Sequence, residues 1–276
     1  MAGDTHGPLR KGQEIDGYRV LGQIGAGNMG VVYLARQISM DRVVALKVLL
    51  PQWVRKSPDF VAQFVREARG AGSLRHPNII AVHDAGTCID DGLPLPWFAM
   101  EYVDGENLES ILEREGTCPA DLLPAVLRGA AAALAYAGSR GLVHRDIKPA
   151  NLMLAREKQV KLADFGLVME SGAGSERLVG TPRYMSPEQI LRRTLDCRTD
   201  HYALGATLFH LLTGESPYVG DSSKAVMRAH VYHPVPDPRE FVAQLKRKAG
   251  LPPDFWSSDL EVSRYTVQKF TEGPAA

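Results

Sequence analysis

Residues 24–33 read IGAGNMGVVY, with glycines at 25, 27 and 30 in the G-x-G-x-x-G spacing that lets a backbone approach phosphate oxygens closely. Two architectures use this spacing. A dinucleotide-binding βαβ unit runs from such a loop into a helix and places an acidic residue about 20 positions later. A phosphate-covering hairpin folds back into a second strand. Here VVYLAR lacks helical periodicity, RVVALKVLL (42–50) follows as another run rich in β-branched residues, and the acidic partner is not evident. With YRVLGQI (18–24) ahead of the glycines and SMDR (39–42) as a turn, the segment reads as an antiparallel meander.

Working outward, a helix is expected from Ser57, with Pro58 in its first position and Phe60, Phe64, Ala68 and Ala71 along one side. Glu67 follows Phe60 by seven residues, so at 100° per residue it points within about 20° of Phe60, onto the buried stripe. A carboxylate there is costly unless a cation meets it. RHPNIIAVHDAG (75–86) and PWFAMEYVDG (96–105) read as two further strands, separated by the Gly- and Pro-containing loop 86–96, which makes a five-stranded amino-terminal unit. Beyond Gly105 the pattern turns helical. A long helix is expected from Pro119 to Tyr136, with Leu123, Val126, Leu127, Ala130 and Leu134 on one face, and a second over 203–213, ALGATLFHLLT.

The chain has 276 residues, 45% of them hydrophobic, enough to bury a full core in one large domain or two lobes. Lys plus Arg equals Asp plus Glu at 32 each, so net charge gives no reason to expect nucleic acid as a partner. Cys88, Cys118 and Cys197 are odd in number and widely spaced, which argues against a disulfide framework or a zinc site and points to a reducing, cytoplasmic setting. No apolar run reaches the roughly 18 residues of a membrane span, and MAGDTHGPLRKGQ (1–13) lacks the apolar segment of a secretory signal. His76, His83, His201, His210, His230 and His233 form no metal-ligand pattern and read as packing or surface residues.

Two stretches carry chemistry. HRDIKPANLML (144–154) sets Asp146 and Asn151 five residues apart, and KLADFG (161–166) adds Asp164 at the end of a short strand. Mg²⁺ takes few protein carboxylates and completes its shell with phosphate oxygens, a need that Asn151 with Asp164 matches. Asp146 is then available to accept a proton from a hydroxyl nucleophile.

In order along the chain stand GAGNMGVV (25–32), VALK (44–47), the helix residue Glu67, HRDIKPAN (144–151), DFG (164–166), GTPRYMSPE (180–188) and RTDHYALG (198–205). Together they resemble the motif set of protein kinases, most similar to the bacterial branch of the eukaryotic-type (Hanks-type) Ser/Thr kinases, over roughly residues 14–220. The resemblance implies an α+β, bilobal fold. A flexible tail (1–13) would precede an N-lobe (14–102) of antiparallel sheet with one main helix, then a mostly helical C-lobe (103–272) and a short tail (273–276). It implies ATP with Mg²⁺, or Mn²⁺ in its place, a protein Ser or Thr as acceptor, and a dimer for autophosphorylation in trans.

Carried over by position, Gly25, Ala26, Gly27, Asn28 and Gly30 would cover the phosphates, while Ile24, Val32 and Ala45 would roof the adenine and Met153 would floor it. Lys47 would neutralise the α- and β-phosphates and pair with Glu67, the cation that the buried stripe requires. MEYV (100–103) resembles the hinge, with Met100 as gatekeeper and the backbones of Glu101 and Val103 as the adenine's partners. Asp146 is implied as catalytic base, Lys148 as the contact to the transferred phosphoryl group, and Asn151 and Asp164 as metal ligands. Thr181 would brace Asp146 and Lys148, Asp200 would anchor the catalytic-loop backbone, and His144 would support that loop.

Residues 164–188 would form the activation segment, with Ser171 and Ser175 as phosphorylation candidates for pairing with Arg145. Past Pro236 the likeness fades; only SRYTV (263–267) is reminiscent of the family, with Arg264 as the expected partner of Glu188 in an end that is abbreviated or assembled differently. A pseudokinase scaffold without turnover and a small-molecule phosphotransferase are the alternatives. GTPRYMSPE, similar to a peptide-docking loop, favours a protein substrate.

Overall fold

Alternating β-branched and aromatic residues build the first third of the chain as strands. The computed structural model describes residues 7–27, 29–165, 169–170, 172 and 178–240, apart from the side chains of Gln63, Glu67, Met169 and Glu170. Its elements begin with β1 (Glu14–Ile15), β2 (Tyr18–Ala26), β3 (Gly30–Gln37), β4 (Arg42–Leu49), α1 (Pro51–Lys56), α2 (Pro58–Gly72), β5 (Val82–Asp90) and β6 (Leu93–Glu101). The chain divides into two compact units, Met1–Gly105 with Lys161–Val168, and Glu106–Val160 with Met169–Ala276.

In the first unit six strands pair antiparallel in the order β1-β2-β3-β4-β6-β5, so the expected meander is present and a two-residue strand, β1, joins the five read from the sequence. One face buries Tyr18, Val31, Tyr33, Leu46, Leu95 and Trp97 in a single cluster. Each such side chain contributes roughly 1.5–3 kcal/mol by leaving water. Residues 7–13, expected as flexible tail, join this core through Leu9, which is buried and donates its N–H to the Tyr33 hydroxyl at 3.1 Å. One apolar residue among polar neighbours carries no periodicity from which such docking could be read.

The loop expected over 86–96 is a hairpin instead. β5 runs on to Asp90 and β6 starts at Leu93, and Asp91 and Gly92 turn between them with φ of 46° and 76°, the left-handed pair of a two-residue type I′ turn. Pro94 and Pro96 are tolerated because pairing with β4 begins only at Trp97; their missing N–H groups face no second strand. Residues 75–81, expected as strand, are turn and extended chain. They are tied to Leu162, whose N–H donates to the Asn78 carbonyl at 2.8 Å and whose carbonyl accepts the Ile80 N–H at 3.0 Å. These bonds tie Leu162, expected in the second lobe, to the first unit, whose leading segment runs to Gly105.

Helix α2 starts as its sequence requires: Pro58 occupies the first position and Ser57 accepts the Asp59 N–H at 3.1 Å. Its Phe64 and Ala68 pack on Leu49 and Phe98, with the two phenyl rings 5.0 Å apart.

The remaining elements are β7 (Gly105–Asn107), α3 (Leu108–Glu115), α4 (Leu123–Ser139), β8 (Leu142–Val143), β9 (Leu152–Ala155), β10 (Val160–Leu162), β11 (Met169–Glu170), α5 (Pro187–Ile190), α6 (Cys197–Thr213) and α7 (Ser223–Tyr232). The long helix begins at Leu123 rather than Pro119, because residues 119–122 close a turn in which the Leu122 N–H meets the Pro119 carbonyl at 3.0 Å. Its small buried residues Ala130, Ala133 and Ala137 let α6 pack closely against it. Helix α6 begins at Cys197 rather than 203, capped by Asp196, whose carboxylate accepts the Arg198 N–H at 2.9 Å. Thr199 and Asp200 hid this first turn from an apolar pattern, being polar and nevertheless buried.

Candidate active site

In the second unit, residues 144–148 join β8 to a single 3₁₀ turn at Pro149–Asn151. Irregular backbone needs partners for its polar groups, and α6 supplies them. Asp200, 2% exposed, accepts the N–H groups of His144 at 2.7 Å and Arg145 at 2.8 Å, and Thr207 Oγ1 donates to the Ile147 carbonyl at 3.3 Å. Burial pushes the Asp200 carboxyl up from its ordinary value, while the charge of His144 and the two N–H donors pull it back. Gln189 Nε2 holds the other side of the loop, donating to the Arg145 carbonyl at 2.8 Å, and Arg145 sits at φ 69°. His144 is fully buried and its Nδ1 accepts the Asp146 N–H at 3.3 Å.

On this frame four expected residues meet. Asp146 Oδ2 accepts from Lys148 Nζ at 2.7 Å, and its Oδ1 accepts from Thr181 Oγ1 at 2.8 Å. Lys148 Nζ also donates to Thr181 Oγ1 at 3.1 Å. Asn151 Nδ2 donates to the Asp146 backbone carbonyl at 2.8 Å and to Oδ2 at 3.3 Å. The carboxylate is thereby held at both oxygens with lone pairs to spare for an incoming hydroxyl. Because the Asn151 amide nitrogen faces Asp146, its Oδ1 is the atom left to act as a hard ligand, which suits a divalent cation.

In the first unit the strand register brings the phosphate- and base-site candidates together. Val32 pairs with Gly25 and Lys47, Lys47 with Phe98, and Ala45 with Met100. With a side-chain period of two, Val32, Ala45, Lys47 and Met100 therefore share the sheet face opposite Tyr33 and Leu46. Lys47 Nζ lies 3.9 Å from Asp164 Oδ1 and 5.5 Å from the centre of the Phe98 ring. Asp164 has φ 64°, a left-handed turn that ends its strand. Ile24 is exposed, Ala45 and Val103 are buried, and Met153 of the second unit is half-buried on β9.

The glycines divide by role. A Cβ on Gly30 would stand 2.8 Å from the Val48 carbonyl oxygen, so close approach of β3 to β4 requires glycine there. On Gly25 and Gly27 the nearest atoms are 3.9 and 3.8 Å away, which leaves room on the protein side. The Gly27 N–H closes the tip on the Gly30 carbonyl at 2.8 Å.

Asn28, Gly166, Ser171, Ser175 and Arg264 lie outside the described residues, as does the Glu67 side chain, so the expected Lys47–Glu67 and Glu188–Arg264 pairs are not placed. Among the described residues Glu188 accepts from Thr199 Oγ1 at 2.9 Å. Sequence reasoning missed Lys161, which is buried and donates to the Pro77 carbonyl at 2.8 Å and to Glu101 Oε1 at 2.9 Å. A lysine flanked by Val160 and Leu162 in a strand with both faces buried was the available signal. Reading also overlooked that the Glu101 N–H is engaged by the Ala81 carbonyl at 2.8 Å, which leaves its carbonyl as the group to offer a base.

The sequence profile of the family described as protein kinase domain matches residues 18–253. The chain is 40% identical over 227 residues to the serine/threonine-protein kinase PknB of Mycobacterium leprae, covering 80% of this chain and 36% of that protein. It is 41% identical over 227 residues to PknB of Mycolicibacterium smegmatis, covering 79% and 36%. A probable serine/threonine-protein kinase of Streptomyces coelicolor is 41% identical over 214 residues, covering 75% and 32%. The chain thus spans about a third of the length of these curated relatives. No helix among the described residues is long and apolar enough to cross a membrane.

Proposed function

Because the chain belongs to the protein kinase family, we propose that it is a serine/threonine-protein kinase that moves the γ-phosphoryl group of ATP to Ser or Thr hydroxyls of proteins. The observation that supports this most is the closed set of bonds among Asp146, Lys148, Thr181 and Asn151. A carboxylate oriented by a hydroxyl and an ammonium is built to align one incoming hydroxyl and take its proton.

In this reading the substrate oxygen attacks the γ-phosphorus, its proton passes to Asp146, and ADP departs with the bridging oxygen. Lys148, held 2.7 Å from Asp146, stabilises charge on the transferred group, and Lys47 does so at the α- and β-phosphates. Asn151 and Asp164 are the residues that would hold Mg²⁺, or Mn²⁺ with the same oxygen ligands. Such a cation, when bound, neutralises charge on the phosphate oxygens. Gly25, Ala26, Gly27 and Asn28 cover the phosphates, Ile24, Val32, Ala45 and Met153 enclose the adenine, and Met100 is the gatekeeper. Glu67 pairs with Lys47. A cytoplasmic setting rests on the unpaired cysteines, and a dimer that phosphorylates itself in trans rests on family resemblance.

The test is transfer from γ-labelled ATP to casein and to a generic basic protein, comparing wild type with Asp146→Asn. Label on protein from wild type, lost in the variant, supports the proposal. Nucleotide binding without transfer would make the chain a pseudokinase, and label on small molecules alone would make it a different phosphotransferase.

A further inference from the structure

An ammonium group inside a strand is expensive unless its donors are matched. Lys161, 9% exposed, has its donors matched by groups from two distant segments: the Pro77 carbonyl at 2.8 Å, and Glu101 at 2.9 Å to Oε1 and 3.1 Å to Oε2. The same Glu101 carboxylate reaches the Ala81 N–H at 3.4 Å, while the Glu101 N–H donates to the Ala81 carbonyl at 2.8 Å. Segment 78–80 is in turn stitched to Leu162 by two backbone bonds. One ammonium therefore fastens three pieces of chain: the end of β6, the approach to β5, and the strand that leads to Asp164.

Glu101 is the last residue of β6, where the sheet ladder ceases to dictate the direction of the next carbonyl. Its side chain is 31% exposed, so without Lys161 it can turn to water. The loss would then be one of direction more than of folding. Adenine presents an N6–H₂ donor to a carbonyl, whereas guanine presents the O6 acceptor, and two opposed acceptors repel. A carbonyl held in one direction can make this distinction; one free to rotate cannot.

We propose that Lys161 is a positioning residue for purine recognition, pinning Glu101 so that its carbonyl selects an amino-purine over an oxo-purine nucleotide. The proposal rests on the kinase reading, which makes the Glu101 and Val103 backbones the partners of the base. It does not require turnover.

Calorimetric titration of ATP and of GTP, each with Mg²⁺, into wild type, Lys161→Met and Lys161→Arg tests it. Wild type is expected to prefer ATP. Lys161→Met should weaken ATP about tenfold while changing GTP by less than about twofold, so that the ratio of the two affinities falls about tenfold. Lys161→Arg should recover most of the ratio, which a merely structural role would not predict. Should Lys161→Met fail to fold, Glu101→Gln, which removes the charge and keeps the shape, is expected to lower the same ratio. An unchanged ratio in whichever of these two variants folds, or a wild type indifferent between ATP and GTP, overturns the proposal. A wild type that binds neither nucleotide overturns this proposal and the kinase reading together; one that binds ATP without transferring phosphate overturns only the transfer.

Discussion

The Thr181 hydroxyl donates to Asp146 Oδ1 at 2.8 Å across 35 positions of sequence and receives Lys148 Nζ at 3.1 Å, so one oxygen sets the attitude of both charged groups. Replacing it with alanine frees Asp146 at one oxygen and leaves Lys148 with Asp146 alone within this set. Because small misplacements of reacting groups are costly, Thr181→Ala is expected to lower kcat about 10²-fold with the KM for ATP unchanged, and Thr181→Ser to retain most activity. Steady-state kinetics on a protein substrate decides; a Thr181→Ala enzyme at wild-type kcat would remove the brace from the mechanism.

Asp146→Asn keeps the shape of the side chain and removes the proposed proton acceptor. Rates should fall about 10²- to 10⁴-fold, the usual range for a positioned general base. Binding of ATP should persist, which equilibrium titration can establish on the same preparation.

Asp200 is expected to act on stability first. It satisfies two buried N–H groups of the catalytic loop, and each orphaned donor costs about 1–3 kcal/mol. Asp200→Ala should therefore lose about 2–6 kcal/mol in urea unfolding, with Asp200→Asn, which retains one acceptor oxygen, losing less. Equal stability of Asp200→Ala and wild type would contradict the anchoring described for α6.

The glycine loop offers a paired experiment. Gly30→Ala drives a methyl toward the Val48 carbonyl and should cost about 1–3 kcal/mol through overpacking, seen as a lower melting temperature. Gly27→Ala should melt as wild type does. Gly27→Val, which has room in the protein, should instead raise the KM for ATP by crowding the phosphates.

His230 predicts an acid-dependent loss of stability. It is buried on α7, its Nδ1 lies 2.8 Å from the Tyr202 hydroxyl, and burial pulls its imidazole down from 6.5 to about 4, against the Pro182 and Arg183 carbonyls, which favour the protonated ring. The unfolded chain takes up this proton near pH 6.5 and the folded chain only near pH 4, so the unfolded state binds more protons in between and stability rises with pH across that window. The contribution is fully present above about pH 6.5 and drains away on acidification. His210 is also lowered by burial, so comparison with His230→Gln isolates the residue: the midpoint of wild type should fall more steeply than that of the variant between pH 6.5 and pH 4.

Local patterns made most of the strands and helices legible. YRVLGQI, GVVYLARQ and RVVALKVLL alternate in a way only a sheet can use, and Ser57-Pro58 announces α2 by capping chemistry alone. Misreadings occurred where a local signal had a non-local remedy. Pro94 and Pro96 looked like a break because their tolerance depends on where β4 stops pairing with β6. Thr199 and Asp200 looked too polar for a buried helix because their partners are Glu188 and the His144–Arg145 backbone.

For the candidate site, the order of GAGNMGVV, VALK, HRDIKPAN, DFG and GTPRYMSPE along the chain identified Asp146, Lys148, Asn151, Thr181 and Lys47 before any geometry was known. What sequence alone determined is thus the periodicity of the elements and the identity of the candidate site residues, since both are written in neighbouring residues. Tertiary structure decided the partners that no motif names: Lys161 for Glu101, Thr199 for Glu188, and the Val48 carbonyl that makes Gly30 obligatory. These choices belong to packing, because a buried charge or N–H must be matched by whatever group the fold brings within about 3 Å, however far away it lies in the chain.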